Sequence, residues 1–206
     1  MTDSGRRSRM PVTETTVRGE DWYGRDLDGD EFERVEFIDV DMTELTSSGA
    51  VFTECTFLNV KFNVSSHTES AFVNCTFTRC NFFDTSFTRC KLTGSQFDGC
   101  EFGLLKVVGG NWSFTSFQKA ELRGADFTGV RLREADLGYA RCQEATFAGC
   151  DLSASWFEGA DFSGATLRGS DLTGLDPRNT TLRGAVIDDR QAVAIVEALG
   201  LVVLPA

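Results

Sequence analysis

A five-residue period that never slips constrains this chain more than any other feature. Counting in fives from Trp22 gives Leu27, Phe32, Phe37 and Met42, and the same phase runs through Phe97, Phe117, Leu137 and Phe157 to Ile187. Of these 34 positions only Ser47, His67, Cys142 and Pro177 are not large and apolar. Sixteen of the 18 Phe occupy the column, all but Phe83 and Phe114. Two residues before most of the large ones stands a small one, as at Ala50, Cys55, Cys75, Ser95, Ala125 and Ala160. Two residues after it stand 14 of the 20 Gly.

Five matches neither the 3.6-residue period of a helix nor the two-residue period of a strand. Two inward side chains per five residues, two apart, describe a short extended segment, and the Gly or Asn that follows supplies the freedom for a corner. Four such sides close a square coil, and successive coils stack like parallel strands ~4.8 Å apart. The spacing therefore predicts an all-β solenoid over residues 20–187, about 8.5 coils and ~40 Å long. Each coil buries its interior only against its neighbours. Residues 1–19 read as a disordered tail carrying Arg6, Arg7 and Arg9. Beyond Ile187 the period ends, and DDRQAVAIVEALG reads as a short C-terminal helix capped by Asp188 or Asp189 and ended by Gly200. With a strand over LVVL (201–204) it makes residues 188–206 a cap with apolar surface to spare, as a solenoid end requires.

The units ADFTG (125–129), ADFSG (160–164) and SDLTG (170–174) resemble those of the pentapeptide repeat family, and the resemblance covers residues 20–190. It implies a right-handed quadrilateral β-helix. Within the family, AFVNCTF (71–77), VRLREADL (130–137), ADFSGATLRG (160–169) and DDRQAVAIVEALGL (188–201) are similar to the mycobacterial fluoroquinolone-resistance branch. As there, and unlike the plasmid-borne branch, no loop insertion breaks the repeat. That likeness implies a DNA mimic that binds DNA gyrase or another type II topoisomerase, inhibiting it or protecting it from quinolones. It also implies a tail-to-tail homodimer, for which Ala192, Val193, Ile195, Val196, Leu199, Leu201 and Val203 are the candidate residues.

Enzyme and metal chemistry find no foothold in the sequence. Six of the seven Cys fall in the small slot and Cys142 in the large one, at spacings set by the repeat rather than by zinc sites. Buried thiols in Ala-like slots behave as small hydrophobes, and a chain without a secretory leader is expected in the reducing cytoplasm. The single histidine, His67, falls in an inward slot with no nucleophile set beside it by the register. GLLKVVGGN (103–111) lacks a phosphate-binding signature. No cofactor is expected. No apolar run reaches the ~18–20 residues of a membrane span. A net charge of −11 argues against direct nucleic-acid binding.

What remains is an acidic surface. Residues 20–44 hold eleven acids against Arg25 and Arg34. Every fourth unit shares a wall, and the wall of Trp22, Phe62 and Phe102 carries Asp21, Asp41, Glu44, Asp84, Glu101, Glu121, Glu144 and Asp161, opposed there by Lys61, Arg123 and Arg141. These eight carboxylates are the candidate partner-binding residues. The competing reading is a merely solvated solenoid wall. Among functional classes, self-immunity against a natural gyrase poison and a structural scaffold with another partner stand beside the topoisomerase reading.

Overall fold

The five-residue units fold into a four-sided parallel β-solenoid, seen in a computed structural model that describes residues 12–204. Each coil takes 20 residues, so every residue pairs with its counterpart 20 positions on. On the Phe37 wall, strands Thr15–Arg18, Val35–Ile38, Thr56–Leu58, Thr76–Thr78 and Gln96–Asp98 form one parallel sheet. Seven strands from Asp26–Asp28 to Thr146–Ala148 form the Leu27 wall, and three strands from Glu31–Glu33 to Ala71–Val73 begin the Phe32 wall. The Trp22 wall is built differently. Single bridges join Asp21, Asp41, Lys61, Asn81, Glu101, Glu121, Arg141, Asp161 and Thr181 in a continuous ladder. Each of its units closes with a tight turn, as in Ser65 N–H to Phe62 O at 3.0 Å.

The corners explain why Gly is favoured but not obligatory. From Trp22 to Leu172, and again at Leu182, the residue two after the inward one is left-handed, and 18 such corners are not Gly, with φ from 51° at Glu69 to 62° at Phe114. Each costs about 1 kcal/mol or more in an isolated chain. Here neighbouring coils bond across the corner, as Val64 N–H does to Phe83 O at 2.8 Å. Gly110 has a different reason. It fills the small slot ahead of Trp112, and a Cβ there would clash with the carbonyl oxygen of Cys90.

Register makes the core a set of ring stacks. Phe37, Phe57, Phe77, Phe97 and Phe117 lie parallel at successive centroid separations of 4.9, 4.7, 4.9 and 4.8 Å. Rings of adjoining walls meet edge to face, as Phe57 and Phe62 do at 5.6 Å and 61°. Both arrangements suit the ring quadrupole. The small slots add a second ladder. Cys55, Cys75, Cys80, Cys90, Cys100 and Cys150 each donate to the carbonyl 23 residues back, at 3.3–3.4 Å. Ser95, Ser155, Ser170 and Thr85 do the same at 2.7–2.8 Å. The thiols thus occupy the hydroxyl's role in the repeat, a step beyond acting as small hydrophobes.

Both ends differ from expectation. The solenoid starts one unit early, because TTVRG (15–19) is itself a unit: Val17 lies in phase and pairs with Phe37. The expected tail is thereby shortened, and its first eleven residues lie outside those described. At the other end α1 (Asp189–Ala198) forms, with Asp188 and Gln191 in a reciprocal capping box. LVVL (201–204) is not a strand, since nothing offers it an edge to pair with.

Replacing Phe77 by Ala is expected to destabilise the protein by about 3–5 kcal/mol, since the ring is sandwiched in its stack and the rigid walls cannot collapse on the hole. Urea unfolding followed by circular dichroism measures it, and a loss under about 1 kcal/mol contradicts the rigid-stack account.

Candidate partner-binding surface

The register brings all eight predicted carboxylates to the Trp22 wall or its outer corner. Asp21, Asp41, Glu101, Glu121 and Asp161 are rungs of its ladder. Glu44, Asp84 and Glu144 are left-handed corner residues at φ 56°, 53° and 60°. The structure also shows what holds them. Asp41 accepts from Lys61 Nζ at 3.0 Å, Asp84 lies 3.4 Å from Lys106 Nζ, Glu121 lies 3.3 Å from Arg141 Nε, and Glu144 lies 3.8 Å from Arg123. Glu101 accepts from Asn81 Nδ2 at 2.7 Å.

The Asp before the large residue has a local duty. Asp21, Asp41, Asp151, Asp161 and Asp171 each accept the backbone N–H two residues on, at 2.9–3.1 Å, closing an Asx turn beneath the corner. The Ser163 hydroxyl, with help from the Ser163 amide and Gln143, holds the Asp161 carboxyl below the usual range. The Thr43 hydroxyl, and then Lys61, do the same for Asp41. One oxygen therefore closes the turn, while the other accepts from Lys61 at Asp41 and from Gln143 at Asp161.

The acidity is uneven along the rod. Residues 20–44 carry eleven acids and two bases, whereas residues 45–190 carry 17 acids and 14 bases. Most of the excess charge thus sits in the first coil, and further down basic residues stand within reach of most wall carboxylates. The period had already set Lys61, Arg123 and Arg141 on this wall; the structure adds which carboxylate each one meets, and adds Lys106 beside Asp84.

At the C-terminal end, Ala192, Ile195 and Val196 are half-buried, while Val193, Leu199, Leu201 and Val203 are exposed. Val202 and Leu204 extend that apolar surface. Sequence reading missed Gln191, the one fully buried residue of α1. Its Nε2 donates to Leu167 O at 2.6 Å and Ser170 O at 2.7 Å, closing the solenoid end. The capping-box spacing from Asp188 was the available signal.

The inward His67 is completely buried among hydroxyls. Its Nδ1 lies 2.8 Å from Ser47 Oγ and its Nε2 3.1 Å from Ser65 Oγ, while its ring stacks on Phe87 at 4.8 Å. The group resembles a catalytic cluster only in composition, since coil packing shuts it off from any substrate. Burial pushes the imidazole down to about 3. Among the described residues no group of three or more His, Cys, Asp and Glu could hold a metal ion, and no helix is long and apolar enough to cross a membrane.

A sign follows for stability. Between pH ~6.5 and ~3 the unfolded chain takes up a proton on His67 that the folded chain refuses, so this group removes about 1.4 kcal/mol of stability per pH unit as pH falls through that window. Exchanging His67 for Phe, the residue of the same column at Phe87 and Phe127, is expected to flatten stability between pH 6.5 and 5 relative to the parent. Ser47 and Ser65 each retain another partner, Ser70 Oγ and Phe62 O. Equal slopes for parent and variant in urea melts would count against a neutral buried imidazole.

Comparison with known proteins agrees with this architecture. A family model described as a pentapeptide repeat region matches residues 80–152, and a second, of pentapeptide repeats in eight copies, matches residues 160–189. No curated protein matches the chain in sequence. Among solved structures, it is similar to QnrB1, a plasmid-mediated fluoroquinolone resistance protein, at 22% identity and a TM-score of 0.70 over 93% of this chain and 99% of that one. The full-length QnrB1 structure gives 20% identity and a TM-score of 0.67, over 92% and 99%. HetL, a pentapeptide repeat protein involved in heterocyst differentiation regulation in the cyanobacterium Nostoc, gives 17% and 0.66, over 88% and 90%. At these identities the likeness is one of fold. With its unbroken units, its four-sided solenoid and these matches, the chain belongs to the pentapeptide repeat family.

Proposed function

We propose that the protein is a non-enzymatic DNA mimic that binds DNA gyrase or a related type II topoisomerase, inhibiting it or shielding it from quinolones. The observation that carries this reading is the stacking of carboxylates on one wall of a narrow rod whose first coil is strongly acidic. Such a rod presents to a basic DNA-binding surface carboxylates set at multiples of the coil rise, interrupted at Lys61, Asn81 and Arg141, where a duplex presents phosphates. The resistance proteins of the same fold support it by analogy. HetL supports a second reading, a regulatory scaffold with another partner, and the near-balanced charge beyond residue 44 is what that reading uses. Seven buried free thiols suit a reducing cytoplasm.

Charge pairing implies steep salt dependence, because exposed ion pairs are screened over about 10 Å at 0.1 M salt. Purified protein is expected to alter gyrase supercoiling, with and without ciprofloxacin, and to lose that effect as salt rises. Reversal of Asp84, Glu101, Glu121 and Glu144 together to Lys should abolish it without unfolding the rod. Reversing Asp98 and Glu158 on the Phe37 wall should matter less. No effect at any protein concentration, or one indifferent to salt and to the reversals, leaves the scaffold reading.

The exposed Val193, Leu199, Leu201 and Val203 beside α1 support a tail-to-tail homodimer, an isologous contact that would give LVVL a partner edge. Light scattering should report a dimer for the full chain and a monomer or aggregate for a chain ending at residue 187. A clean dimer of the truncated chain would place the interface elsewhere.

A further inference from the structure

Two phenylalanines stand outside the inward column, and one of them lies in the middle of the acidic wall. Phe83 points outward, 47% exposed, at the edge of the Trp22 wall. The corner residues of the coils on either side are also apolar and exposed: Val64 at 48% and Leu104 at 55%. Register puts Val64, Asp84 and Leu104 in one corner column, with Val64 N–H bonded to Phe83 O and Asp84 N–H to Gly103 O, both at 2.8 Å. This is an apolar island spanning about 10 Å of the rod, by the coil spacing.

The island is built and held in place. Val64 and Leu104 are left-handed at φ 59° and 58°, where a β-branched or bulky side chain is strained and the neighbouring corners carry Glu, Asn, Asp, Arg or Gly. The Phe83 ring leans over Gly103, where a Cβ would stand 3.0 Å from its Cδ2. Asn81 Oδ1 accepts the Phe83 N–H at 2.8 Å, and Asn81 Nδ2 is tied to Glu101. None of this serves the core, and solvation alone would favour polar groups.

Charge decides the occupant. Asp41, Glu44, Glu101 and Glu121 flank the island along the wall and Asp84 stands within it, between Val64 and Leu104; Lys61, Lys106 and Arg141 answer three of the five, which leaves the surroundings net negative. A second copy of this wall, a nucleic acid or an anionic lipid surface would be repelled. We propose that Val64, Phe83 and Leu104 form an apolar anchor for a protein surface that carries a pocket or side chain of matching kind within a basic rim. The proposal deepens the acidic-wall reading by naming what discriminates among basic partners. It rests on that reading only for the partner's charge.

The test uses two probes. The first is a Lys/Arg-rich peptide with one central Phe, compared by titration with the same peptide bearing Ser there. The Phe peptide should bind the full-length protein roughly tenfold tighter, and Phe83→Ser should erase the difference at every salt concentration from about 50 to 500 mM. Glu101→Gln with Glu121→Gln should instead flatten the salt dependence and keep the preference. Phe114→Ser, at the diagonally opposite corner and 54% exposed in the parent, should change nothing. Equal binding of the two peptides, a preference that survives Phe83→Ser, or equal damage from Phe114→Ser overturns the anchor. The second probe is gyrase. If it ignores the parent protein while peptide preference persists, the topoisomerase reading falls and the anchor stands. If it binds parent and Phe83→Ser alike, the anchor is overturned for that partner.

Discussion

Because each residue hydrogen-bonds to chain 20 positions away, whatever occupies one position is stacked on what occupies the next. This single register produces three different ladders. Inward it sets phenylalanine on phenylalanine at the coil spacing. In the small slot it aims each thiol or hydroxyl at the carbonyl 23 residues back. Outward it lines up carboxylates and the bases that answer them. Inserting one residue would shift all three at once, because the next coil would present its corner where the last presented a ring. The left-handed corners are the strained part of this arrangement. They persist because the bonds between coils over-determine them, and the isolated five-residue unit would not hold its shape.

Most of the fold was legible for the same reason. Inward positions are specified by volume, and volume shows in the sequence as an unbroken column of large side chains. Where the rule weakened, the reading weakened with it. Val17 lies in phase but, standing at the end of the column, did not reveal the first strand. Gln191 is polar within an apolar stripe, and only the carbonyls of Leu167 and Ser170 give it a reason to be buried. LVVL has strand-forming residues and no edge, which shows that propensity without a partner does not make a strand.

The outward positions were less legible because their interactions lie a coil apart. The sequence shows Glu121 and Arg141 as two charges twenty residues distant, whereas the fold sets them 3.3 Å apart. Exposed pairs of this kind contribute ~1 kcal/mol or less each, so they do not hold the rod together. Their effect is on the field. Paired charges partly cancel at a distance, and the unbalanced first coil dominates what an approaching partner senses. The Asx turns limit the inference from composition in another way, since Asp is required by the turn whether or not anything binds.

On the proposed function, field and contact would divide the work of recognition. A rod of carboxylates attracts any basic surface built for DNA, and raises the rate of encounter without choosing among such surfaces. Discrimination needs a difference in free energy between the right partner and the wrong ones. A feature that DNA lacks can supply it. On the reading proposed here, Phe83 and its corner neighbours are that feature: apolar groups on an acidic wall lose water favourably only against a partner with an apolar counterpart. A partner adapted to phosphates alone would bury the ring against charge and leave its own Lys or Arg poorly solvated, which costs affinity. The strained corners at Val64 and Leu104 fit this division, because the repeat accepts Gly there and the chain carries bulk instead. On that reading charge would bring the rod to a family of surfaces, and the apolar island would select one of them.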